Sequence, residues 1–204
     1  MLVNEPRISL PGPGSMTPAQ QKVFDAVVSG PRGKMVGPLR AALHNPVLAE
    51  RWQQLGETLR YNTSLPRAHS ELAILVVARR WNCELEWTIH ERDARAAGLD
   101  GAIIDAIREG HAPALDDPAQ RIVYEYTRMM QNDGQVSDEV HAAVTALWGA
   151  VGVVELTAVI GYYTMVAQTL NAHGIPLPDA VKPKLNRRGG ALPATLTEIP
   201  PAER

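Results

Sequence analysis

The sequence predicts an all-α protein, and three observations carry that prediction. Apolar residues recur at spacings of three and four along most of the chain. No window sustains the two-residue alternation of a strand, and the Val-rich runs sit inside helical patterns. Start and stop signals divide the chain into helix-sized pieces: Thr17-Pro18, Asn45-Pro46 and Asp117-Pro118 open helices, and Gly98 closes one.

In chain order, residues 1–16 are rich in Pro and Gly without periodicity and read as an arm, extended or disordered. Thr17 caps a helix running to about Ser29. GPRGKMVG (residues 30–37) is a loop carrying two positive charges. Pro38 to Leu43 is a short helical turn, and Asn45 caps the next helix to about Tyr61. Val47, Leu48, Trp52, Leu55 and Leu59 give that helix its apolar spacing. Beyond the central stretch, Asp100 to Glu109 forms a short helix, Asp117-Pro118 starts one ending near Gln131, and Ser137 caps another. Gly149 and Gly152 mark a bend, and Val153 to Ala172 is a long apolar helix. Residues 17–181 form the helical domain. Residues 182–204, with RRGG and several prolines, read as a tail, mobile or draped over a neighbouring subunit.

The centre of the chain is Glu71 to Gly98, ELAILVVARRWNCELEWTIHERDARAAG. Its first half, Leu72 to Ala78, is apolar all round and predicts a buried helix, with Ser70 as N-cap and Glu71 at its mouth. In the second half Asn82 is the expected N-cap. Cys83, Glu86, Trp87, His90, Ala94 and Ala97 share one face. If the halves fold back about residues 80–82, Glu71 and His90 lie equally far from the turn and meet. Glu86 is one turn from His90, about 6 Å along the axis, and Cys83 sits near a helix N-terminus, where the dipole favours a thiolate. The expected site is a histidine between two carboxylates with a thiol at the far end.

These residues resemble the core of the carboxymuconolactone decarboxylase family, part of the superfamily of alkylhydroperoxidase D-like proteins. That signature has a Glu opening a buried helix, then Cys-x-x-Cys, then a His four residues after the second Cys. Glu71, Cys83 and His90 stand at those positions, and Glu86 replaces the second Cys. GPLRAALHNPVLAERWQQLG and VELTAVIGYYTMVAQTLNAHGIP extend the likeness over roughly residues 20–180. The resemblance implies the alkylhydroperoxidase D-like fold with a central antiparallel helix hairpin, assembled as a homo-oligomer (dimer, trimer or hexamer). It also implies acid–base chemistry without a cofactor on a small carboxylated lactone. His90 would be the proton carrier, Glu71 would orient it, and Glu86 would relay protons or shape the pocket. Peroxidase chemistry in the superfamily uses two thiols, and a carboxylate cannot replace one. A Cys83 peroxidase with an external reductant and a non-catalytic small-molecule binder are the alternatives.

Composition narrows the partners. A net charge of −2 and a pI near 6.3 argue against nucleic acid and anionic membranes. A lone Cys excludes an intrachain disulfide and fits a reducing, cytoplasmic setting. The opening MLVNEPRISLPGPGS has no basic start followed by an apolar run and does not read as a signal peptide. Val151 to Leu170 is apolar enough to span a membrane, but Glu155 and Gln168 within it favour a core helix. No metal is expected: a Glu71, Glu86 and His90 site would lack a second inward histidine. Arg79, Arg80, Arg92 and Arg95 lie near the hairpin as possible cations for an anionic substrate, and Trp81 and Trp87 as pocket walls or core.

Overall fold

The computed structural model describes residues 5–185 and 196–199. Among them are eight helices and no strand: α1 (Pro18–Ser29), α2 (Gly37–Ala42), α3 (Pro46–Tyr61), α4 (Arg67–Arg80), α5 (Glu84–Ala96), α6 (Gly101–Glu109), α7 (Pro118–Asn132) and α8 (Asp138–His173). Local chemistry sets most boundaries as expected. Thr17 and Gln20 form a reciprocal capping box on α1, and Asn45 caps α3 ahead of Pro46. Asp100 and Asp117 cap α6 and α7 through the backbone N–H groups of Ala102 and Ala119. The expected bend falls at Gly149, whose φ of 67° suits a residue without Cβ.

The chain divides into two compact units, Met1–Thr63 with Gln168–Pro176, and Ser64–Ala167 with Leu177–Arg204. In the first, α3 packs on α1 and α2. Its buried stripe is Ala49, Trp52, Gln53, Gly56 and Leu59, whereas Val47, Leu48 and Leu55 are exposed. The α1 and α2 neighbours thus cover the face that carries Trp52 and Leu59 and leave Val47, Leu48 and Leu55 outside it. The N-terminal arm is held along its described length. Arg7 N–H donates to His173 O, and Arg40 donates to the carbonyls of Leu10 and Pro11.

The second unit is built around α4, which packs on α5, α6 and α7. Leu72 to Ala78 are all sealed from solvent, as an all-round apolar helix requires. Each Leu, Ile or Val among them contributes about 1.5–3 kcal/mol by leaving water. Two boundary expectations are corrected here. The chain enters α4 at Arg67 behind Pro66, so Ser70 lies inside the helix and Glu71 is one turn in rather than at its mouth. Pro66 supplies an extended entry that lets helix begin immediately. Asn82 does not cap α5; Cys83 does. Asn82 instead takes a left-handed φ of 47° and closes α4, with Asn82 N–H donating to Arg79 O and Cys83 N–H to Ala78 O. This pattern satisfies the last carbonyls of α4 and is one that Asn tolerates. The Arg79 guanidinium also donates to the Asn82 side chain. Gly98, φ 85°, ends α5 as expected.

The described parts of the tail dock on their own unit. The N–H groups of Lys184 and Leu185 donate to Glu84, and Lys184 Nζ contacts Glu91 at 2.8 Å. Further on, Leu196 pairs with Asn132, and Tyr124 donates to Thr197 O. The rest of the tail lies outside the described residues. Among the described residues one helix, α8, is long and apolar enough to cross a membrane by length and composition. It buries Leu156, Val159, Ile160, Tyr162 and Tyr163 and exposes Leu147, Val151, Val154 and Met165.

Candidate active site

The hairpin of α4 and α5 brings Glu71 and His90 together across nineteen positions of sequence, with His90 Nδ1 and Glu71 Oε2 2.7 Å apart. Glu71 is sealed from solvent and His90 nearly so. A carboxylate partner makes Nδ1 the protonated nitrogen. The edge of the imidazole meets Tyr163 of α8, with ring centroids 4.7 Å apart and planes at 82°, and Tyr163 in turn stacks edge-on with Tyr162.

The second oxygen of Glu71 forms an ion pair with Arg67, whose Nη2 lies 2.6 Å from Oε1, a charge contact without hydrogen-bond alignment. Arg67 stands one turn before Glu71 on α4, and its side chain is 40% exposed, against zero for Glu71. The same Nη2 is 3.8 Å from Asp93 Oδ2, while Arg92 contacts the other Asp93 oxygen at 2.7 Å. Glu71, His90 and Asp93 each place a donor atom within 4.8 Å of the others. Arg67 and Arg92 are the cations set against these carboxylates, and the group forms an ion-pair cluster around the imidazole. Asp93, not Glu86, completes it.

Glu86 is separate from this network. It is fully buried on α5, and neither carboxyl oxygen has a hydrogen-bond partner among the described residues. Burial without compensation pushes its carboxyl well above the usual range, which favours the neutral acid. The expected histidine between two carboxylates is therefore asymmetric, with one acid bonded to the ring and the other protonated and unbonded. Cys83 is buried at the start of α5, and its side chain makes no cap hydrogen bond.

Of the four arginines flagged in the sequence, Arg92 borders this cluster through Asp93, while Arg79 with Asn82, Arg80 with Gln131 O and Arg95 with Glu91 are engaged elsewhere. Trp87 is wholly buried and donates to Glu91, and Trp81 donates to Gln131, so both are structural. Sequence reasoning missed Arg67, Asp93 and Tyr163. Arg67 is four residues before Glu71 and Asp93 three after His90, spacings that place each on its partner's face. Tyr163 carried no such local signal.

Residues 46–129, which include Glu71, Cys83, Glu86 and His90, match the carboxymuconolactone decarboxylase family. No curated protein matches the sequence. Among solved structures, a peroxidase-related protein from Silicibacter sp. TM1040 is similar with a TM-score of 0.67 at 15% identity. The match covers 86% of this chain and 92% of that one. At this identity the likeness speaks for the fold, which is alkylhydroperoxidase D-like. The matched segment carries α3 to α6 and most of α7, and with them the whole hairpin.

Proposed function

We propose that this protein is a cofactor-free acid–base enzyme of the carboxymuconolactone decarboxylase type, a carbon–carbon lyase acting on a small carboxylated, lactone-like substrate. The observation that carries the reading is the 2.7 Å contact between His90 and Glu71 inside a water-poor hairpin. Loss of CO₂ from such a substrate leaves its electron pair on carbon as a dienolate. His90, protonated at Nε2 by solvent or by the substrate's own carboxyl group, delivers that proton to carbon and returns to neutral imidazole. Glu71 fixes the tautomer and stabilises the charged ring. Glu86, protonated, donates a hydrogen bond to substrate oxygen or relays the proton. Cytoplasmic location and a homo-oligomer belong to the same proposal; the exposed Leu147, Val151, Val154 and Met165 of α8 support the second.

The test is turnover of carboxymuconolactone and related carboxylated lactones by wild type and His90→Ala. Loss of roughly 10²–10⁴-fold in kcat is expected of the variant. No turnover of any such acid by wild type would discard the lyase reading in favour of a binding protein.

The Silicibacter neighbour, named peroxidase-related, favours one competing reading. There the Cys83 thiolate would attack the O–O bond, forming a sulfenic acid and releasing alcohol or water. An external thiol would then reduce the sulfenic acid. Peroxide consumption abolished by Cys83→Ser would support it, and consumption unaffected by that change would remove it.

A further inference from the structure

We propose that Arg67 is a positioning residue that sets the acidity of His90 through Glu71; the inference rests on the reading of His90 as the proton carrier. Its ground is the chain of contacts Arg67–Glu71–His90, 2.6 and 2.7 Å long, through one buried carboxylate that uses a different oxygen for each partner. Because Arg67 occupies Oε1, Oε2 is committed to Nδ1, which fixes both the ring's orientation and its tautomer.

The charges facing the ring make the second half of the case. From α4 these are Glu71 and Arg67. From α5 they are Asp93 with Arg92 against it, and Glu86 one turn back, protonated. From α8 they are the neutral rings of Tyr163 and Tyr162. Two guanidinium groups answer two carboxylates, so the cluster is neutral with a neutral imidazole, and protonating His90 leaves it net positive. Without Arg67 the balance reverses, and an imidazolium becomes the charge that neutralises Glu71. Arg67 thus makes protonated His90 a stronger acid, as a residue that must hand a proton to carbon requires. Since Arg67 is partly exposed at the first position of α4, it can be changed without opening the core.

The experiment is a pH titration of the His90 ring nitrogens by heteronuclear NMR. His90→Gln assigns the signal, and the titration is run in wild type, Arg67→Gln and Arg67→Lys. Thermal melts confirm that each variant folds. Arg67→Gln should raise the His90 midpoint by about one unit or more, and Arg67→Lys should restore most of the wild-type value. A His90 titration that is the same in wild type and Arg67→Gln overturns the inference. The measurement needs no substrate, so a shifted midpoint in a protein that turns over no lactone sinks the proposed function alone. An unshifted midpoint in an active enzyme sinks only the role of Arg67.

Discussion

Glu71 and Glu86 are both shut away from water in the same hairpin, yet they are opposite in character. Glu71 spends one oxygen on a guanidinium and the other on an imidazole. Glu86 has no partner among the described residues and keeps its proton. Burial alone does not decide what a carboxyl group does; the donors around it do. The region near Pro66 is organised for charge, and the region near the turn for a neutral acid.

Three changes sharpen or break that contrast. The largest effect is expected of Glu71→Ala, which strips His90 Nδ1 and Arg67 of their common partner. Loss of a buried pair costs about 3–5 kcal/mol when the abandoned group stays buried. With Arg67 able to turn to solvent, the low end of that range is expected in urea unfolding. Destabilisation well below 1 kcal/mol would mean that the contact holds little together.

Next comes Glu86→Gln, read as a pH dependence. The folded-state pKa of Glu86 lies above its unfolded value, so the native state binds more protons than the unfolded state between the two. Stability from this group is therefore full below the unfolded carboxyl pKa. It falls as pH rises towards the folded pKa, by up to about 1.4 kcal/mol per pH unit. The Gln variant lacks this slope, so its stability relative to wild type should improve as pH rises above the unfolded carboxyl range. Parallel stability curves would show Glu86 ionising without penalty and would end the comparison drawn above. The smallest effect is expected of Cys83→Ser, under about 1.5 kcal/mol. A small buried side chain becomes slightly too polar there, while Ser is a favoured residue at a helix start. Lactone turnover should survive it.

The meeting of Glu71 and His90 was legible from sequence because a helix hairpin imposes it: equal distances from a turn bring residues level. The direction of Glu86 as a site residue was legible only in part. Its face could be counted, but its lack of partners depends on what α4 and neighbouring helices fail to present. Ser70 and Asn82 misled for a shared reason, being good capping types placed where tertiary packing and Pro66 had already set other ends. Arg67 was overlooked because an arginine beside a proline reads as a solvated start, until the buried carboxylate oxygen it pairs with is seen. The docking of Lys184 and Leu185 on Glu84 and Glu91 links positions about a hundred residues apart, and nothing local announces it.

The left-handed Asn82 gives the turn a further meaning. The connection between Arg80 and Glu84 works as a ruler whose length sets the phase of α5. One residue added or removed there would spin α5 by about 100° and slide it by about 1.5 Å. Glu71 would then face Glu91 or Ile89 instead of the imidazole. Loops elsewhere can drift in length over evolution, but here a single-codon insertion would erase the site while leaving every helix able to form.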